Sequence, residues 1–236
     1  MTGDQMANDA TTHDVDRGLP GALRARLAAD FEVVEPLSRP PVRALGLIPF
    51  AVLTLVAAPW WFEPRSDLAR LGWTHAWGLS MTQSMAGLLM VAVALREAVP
   101  GRAWMPASLA AWFAAPIVLV VVVTLSTFDV SPIGVRGGGA IGAVIGAMCF
   151  AGSLATALPG TVLSAVLAAR AYPTRPALTG LLGGLGAGLM ADAGWRLFCH
   201  FSEPTHVLTG HLGGVLAAGL CGALVSRRLH GRRNPL

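Results

Sequence analysis

Long apolar stretches alternate with short arginine-bearing ones along most of this chain. A spanning helix needs about 20 mostly apolar residues, and runs of that kind occupy 45–61, 77–95, 105–128, 177–198 and 207–226. A longer run, 137–169, would reach about 50 Å as one helix at ~1.5 Å per residue. That exceeds a hydrocarbon core of about 30 Å, so part of it must tilt, bend or lie outside, and Pro159 is a candidate kink. Counted as one span, it makes six. The pattern predicts an all-α membrane protein with six transmembrane helices. A segment 1–43 precedes the helical domain 44–228, and a basic tail 229–236 follows it.

The leading segment has its own pattern. Residues 1–18 are polar, with Asp4, Asp9, Asp14 and Asp16, and read as disordered. Pro20 suits a first helical turn, and Leu23, Leu27 and Phe31 then recur on one stripe with Arg24, Arg26, Asp30 and Glu32 around it. This predicts a short amphipathic helix over about 20–35, stopped by Pro36. A lone helix of that length is marginal in water, so its stripe needs cover, either the inner membrane surface or a soluble partner. Asp30, Glu32 and Glu35 weigh against an anionic lipid surface. The segment has no short apolar core followed by a small-residue cleavage site, so it does not read as a signal peptide.

Composition supports the membrane reading. Hydrophobic residues make up 54% of the 236 and charged ones 13%, about half the usual ~25% of soluble domains. All 17 basic residues are Arg, spread between the apolar runs rather than gathered in a patch, which excludes a nucleic-acid surface. Thirteen lie at 17–43, 96–102, 170–175 and 227–233, and four, Arg65, Arg70, Arg136 and Arg196, lie in the alternate loops. The positive-inside rule then puts both termini in the cytoplasm. Trp60, Trp61, Phe62, Trp73, Trp77 and Trp195 fall at the opposite ends of the spans, where an interfacial aromatic belt belongs.

Counting outward from Arg170 and from Arg175 sets Cys149 and Cys199 at one depth on the outer face, the oxidising side. A disulfide between them is geometrically possible if the fourth and fifth spans are neighbours. Around Cys199, His200, His206 and His211 fall within a thirteen-residue stretch; thiolate and imidazole together suit Cu(I) or Zn(II). The alternative is a set of interfacial histidines satisfied by water and carbonyls. Met81, Met85 and Met148 are further soft-ligand candidates or ordinary packing, and Cys221 reads as a small apolar filler. Asp192 and Arg196 share a helix face at i, i+4 and form an expected intramembrane ion pair. Gly180, Gly184 and Gly188, continued by Gly210 and Gly214, have the spacing of closely packed spanning helices. The sequence shows no catalytic triad, phosphate loop or zinc-protease motif, so no enzyme is expected.

The second half combines Cys149, Arg175-Pro176, the glycine ladder, Cys199 fifty residues after the first cysteine, His206, His211 and a closing Arg pair. With the leading Leu/Phe helix and Arg43 at the first span, it resembles the NrsF family of six-span anti-sigma factors over about 19–228. The resemblance implies an inner-membrane protein that sequesters an extracytoplasmic-function sigma factor and releases it under stress. It assigns sigma-factor docking to Leu23, Leu27 and Phe31, and the sensing of thiophilic metals or oxidants to Cys149 and Cys199. Two departures stand out. His200 takes the place of a proline often found after the second cysteine, and Gly210-His211 replaces a common aromatic pair. The added imidazoles favour a metal, Cu or Zn at the outer face. A membrane metal transporter using Cys199, His206, His211 and Asp192 is the alternative, although no internal repeat is visible.

Overall fold

The structure is a computed structural model that describes residues 20–30, 36–134 and 139–233. It divides into two compact units, before and after the Leu37–Ser38 bond. In the first, helix α1 (Gly21–Asp30) is present, with Leu23 exposed. Phe31, expected on the same stripe, lies outside the described residues.

In the second unit, α2 (Pro40–Ala44) passes through a single 3₁₀ turn into α3 (Ile48–Trp61). The short α4 (Leu68–Leu71) precedes α5 (Trp73–Glu97), α6 (Pro106–Val130), α7 (Ala140–Ala169) and α8 (Pro176–Trp195). A turn, α9 (Pro204–His206), leads through a π-helical stretch, Val207–Leu212, into α10 (Gly213–Arg233). Proline opens α2, α6, α8 and α9, where its missing N–H costs nothing. Residues 140–169 of the long apolar stretch form one unbroken helix through Pro159, at about 45 Å well beyond the membrane core.

Among the described residues, five helical segments are long and apolar enough to cross a membrane: Pro40–Ala57, Trp73–Glu97, Pro106–Val130, Ala140–Ala169 and Pro204–Gly231. The expectation was six. The one that falls short is α8, whose six glycines and Asp192 dilute its apolarity. Its position explains that composition. It packs against α10, α5, α7 and α3, and every residue from Leu182 to Gly194 is buried. A helix wrapped by others does not need large apolar side chains on every face. The outer helices carry those instead: Val118, Val122 and Leu125 on α6 and Leu220 and Leu224 on α10 are exposed, as lipid-facing side chains would be.

Packing of α8 against α10 depends on missing side chains. A Cβ on Gly180 would overlap the Gly222 carbonyl, and one on Gly184 would overlap the Ala218 carbonyl. Backbone therefore lies on backbone, the close approach that the small-residue spacing indicates. On the other face of α8, Gly186 meets Gly87 of α5 in the same way. Leu182, Leu185 and Leu189 of α8 then join Met90 and Val93 of α5 and Val215 of α10 in the main core.

Replacing Gly184 with Leu forces α8 and α10 apart at a site with no room, a cost of about 1–3 kcal/mol or more. We expect Gly184→Leu to lower the thermal midpoint of the detergent-solubilised protein and broaden its gel-filtration peak. Leu224→Ala on the exposed face of α10 should leave both unchanged.

Candidate functional site

At the end of the bundle where α8 finishes, Asp192 is completely buried. A carboxylate in that position needs partners, because an unpaired buried charge is costly. The turn that ends α8, helix α5 and the π segment supply them. One oxygen, Oδ2, accepts from Arg196 Nε just past the end of α8 at 3.1 Å and from Gln83 Nε2 of α5 at 2.7 Å. The other, Oδ1, accepts from His211 Nδ1 of the π segment at 2.7 Å. Arg196 also reaches α6, where its Nη2 donates to Thr124 Oγ1 at 3.1 Å. The expected Asp192–Arg196 pair is thus the centre of a larger network. Gln83 and Thr124 were visible only as polar residues in apolar runs, and nothing in their spacing linked them to residue 192.

The Asp192 bond leaves His211 Nε2 buried without a hydrogen-bond partner. The group around it consists of Cys149, Cys199, His206 and His211, all buried, with their ligand atoms within 4.8 Å of one another. The two sulfurs are 3.9 Å apart, unbonded thiols rather than the disulfide the spacing allowed. Cys199 Sγ lies 3.5 Å from His206 Nε2.

Two local features bring these side chains together. In a regular α-helix, residues five apart point about 140° away from each other; the π segment's wider turn brings His206 and His211 to 5.4 Å between ring centroids. Gly210 lies so close to α7 that a Cβ there would come within 3.3 Å of Cys149 Cβ.

Other predicted residues lie elsewhere. His200 is outside the group and packs tilted against Phe201, with ring centroids 4.2 Å apart, which linear spacing could not reveal. Met81, Met85 and Met148 are exposed, whereas the four clustered residues are buried. Cys221 is partly buried and also apart. Trp195 turns inward to pack against Phe198 at 4.5 Å, and its Nε1 donates to Thr156.

A second network covers the group. Arg65, 6% exposed, donates from Nη2 to Asp67 Oδ2 at 2.7 Å, from Nε to Oδ1 at 2.5 Å, and from Nη1 to the Arg196 carbonyl at 3.3 Å. Ser131 donates to the same Asp67 carboxylate at 2.6 Å. Ser202 in turn donates to the Ser131 carbonyl and accepts from Ile133 N–H. Three loops are therefore tied across the end of the bundle. Burial opposes ionisation of Asp67, but the hydrogen bonds from Arg65 and Ser131 and the Arg65 charge outweigh it and hold its pKa below the usual range. A depressed carboxylate pKa stabilises the fold above its unfolded value and is lost only as pH falls through the folded one, so the clamp is fully formed at neutral pH. Beneath it, Arg65, Arg196, Cys199 and His211 help line a cavity of about 10 Å³, room for about one water molecule.

Residues 27–230 match the family model for NrsF, negative regulator of sigma F. The chain belongs to the NrsF family. No curated protein and no solved structure matches it. An NrsF-family chain is an anti-sigma factor, a regulator that works through a sigma factor. The apolar helices make this one a membrane protein. The matched region takes in both cysteines, both clustered histidines and Asp192, and begins within α1.

Removing Arg65 leaves the buried Asp67 with Ser131 as a donor but without its counter-charge, at a cost of up to about 3–5 kcal/mol. We expect Arg65→Met to open the loops and speed maleimide labelling of Cys199 several-fold, read as a labelling time course on the folded protein. An unchanged rate would mean that the clamp does not restrict access to the sulfur.

Proposed function

We propose that this protein is a bacterial inner-membrane anti-sigma factor that holds an extracytoplasmic-function sigma factor through its leading segment and releases it when its cysteines meet a metal or an oxidant. The observation that carries the reading is a buried cysteine pair, joined by two histidines, in a chain of the NrsF family. The chain crosses the membrane six times, with α8 as the enclosed fifth span and both termini in the cytoplasm. The arginine distribution supports that orientation, and it sets Cys149 and Cys199 on the outer side.

The docking surface is the stripe of Leu23, Leu27 and Phe31. Such a stripe binds a groove in a partner by burying apolar residues at i, i+4 and i+8. Release requires that the occupied or oxidised cysteine site favour a helix arrangement with weaker affinity for the sigma factor. A ligand that binds both arrangements equally shifts nothing, and a change from 1:99 to 99:1 needs about 10⁴-fold discrimination. The site draws on α7, the loop after α8, α9 and the π segment leading into α10, so a change at the sulfurs acts next to the glycine-packed helices.

We expect Leu27→Asp to abolish retention of the sigma factor in a membrane pull-down and to give constitutive expression of its target genes. The Cys149→Ser/Cys199→Ser double variant should retain the sigma factor and fail to induce under metal or oxidant stress. Retention and repression by the Leu27→Asp protein would overturn the docking assignment. Normal induction by the double variant would overturn the sensing one.

A further inference from the structure

We infer that Cys149, Cys199, His206 and His211 form a four-coordinate site for a divalent, tetrahedral metal ion of the zinc class, with Asp192 as the residue that positions His211. This deepens the sensing role proposed above and rests on it for its regulatory meaning, although the site itself stands on geometry.

The first support is distance. With metal–sulfur bonds of about 2.3 Å and metal–imidazole bonds of about 2.0–2.1 Å, a tetrahedral ion sets its sulfurs about 3.8 Å apart and a sulfur and nitrogen about 3.5 Å apart. The sulfurs here are 3.9 Å apart, and Cys199 Sγ is 3.5 Å from His206 Nε2. The remaining ligand atoms lie within 4.8 Å of one another and close in around the ion.

The second support is His211. Its Nδ1 lies 2.7 Å from Asp192 Oδ1, and its buried Nε2, with no hydrogen-bond partner, is the nitrogen left to face an ion. Metal-bound histidines characteristically have a carboxylate on the other ring nitrogen. Asp192 is itself held by Gln83 and Arg196, so the ring is fixed before any ion arrives. A buried ring nitrogen without a partner is costly in a core, and a ligand bond would satisfy it.

The third support is charge. Binding replaces the two thiol protons, which leave to water, and the ion takes both sulfurs as thiolates. A divalent ion with two thiolates and two neutral imidazoles has no net charge. Asp192 and Arg196 cancel each other, as do Arg65 and Asp67. The whole buried end of the bundle is then neutral. A monovalent ion such as Cu(I) would leave one uncompensated negative charge in a low-dielectric site, and it can be held by the sulfurs alone, with no need of the histidines.

The test uses the full chain, reduced and in detergent, with Co(II) as the probe. We expect one equivalent to give the intense visible spectrum of tetrahedral cobalt with sulfur ligands, displaced by Zn(II). His206→Gln, which lies outside the Asp192 ion pairs, should shift the bands and weaken binding. Asp192→Asn should weaken it about 10–100-fold, as loss of such a supporting carboxylate typically does, with altered bands that mere loosening of the fold would not produce. A cobalt spectrum unchanged by both substitutions, or no binding by the folded protein, overturns the site. The same samples assayed for sigma-factor retention separate the two proposals. Release by a thiol oxidant without cobalt binding leaves the regulatory reading standing and removes the metal site. Histidine-dependent binding with no effect on retention establishes the site and removes the regulatory reading.

Discussion

One buried carboxylate organises the end of this bundle. Asp192 is fully enclosed, and removing a partner from such a charge costs about 3–5 kcal/mol, so the structure around it must supply donors in fixed places. Gln83 comes from α5, Arg196 from the turn that ends α8 and His211 from the π segment, and Arg196 extends the network to Thr124 of α6. Each bond ties the arrangement of one element to the others. A change at His211 is therefore felt at Asp192, and through Asp192 by three helices.

The network depends on how closely those helices approach. Large side chains between α8 and its neighbours would hold the backbones too far apart for Asp192 to reach Gln83 on one side and His211 on the other. The glycines of α8 remove that spacing against α10 and α5. The same glycines leave α8 too weakly apolar to register as a span by itself. Its neighbours bury it instead. Composition and position in the bundle are two consequences of one packing requirement.

Much of this was readable in advance. The apolar runs marked the long helices because a chain in lipid must satisfy its backbone internally and face outward with apolar side chains. The i, i+4 relation of Asp192 and Arg196 and the glycine ladder were equally local signals, since helical periodicity turns sequence spacing into direction. Where the periodicity changed, the inference weakened. Val207–Leu212 reads as the start of a regular helix, and only the π turn brings His206 and His211 to the same side. His200, as near to Cys199 in sequence as any residue, turns away onto Phe201. The Arg65–Asp67–Ser131–Ser202 clamp joins loops more than sixty residues apart, and no local pattern connects them.

The sequence alone determined the class of the protein, its helices and its family, because lipid burial and helical repetition are properties of short windows. It also named both cysteines and both histidines of the buried group, together with a third, His200, that lies outside it. What only the tertiary structure decided was the convergence: which ring nitrogen is left free, how far apart the sulfurs lie, and that Gln83 completes the Asp192 shell. Those depend on distances of a few tenths of an ångström between segments far apart in the chain. Such distances are set by the packing of α8 against all its neighbours at once, and no single stretch of residues encodes them.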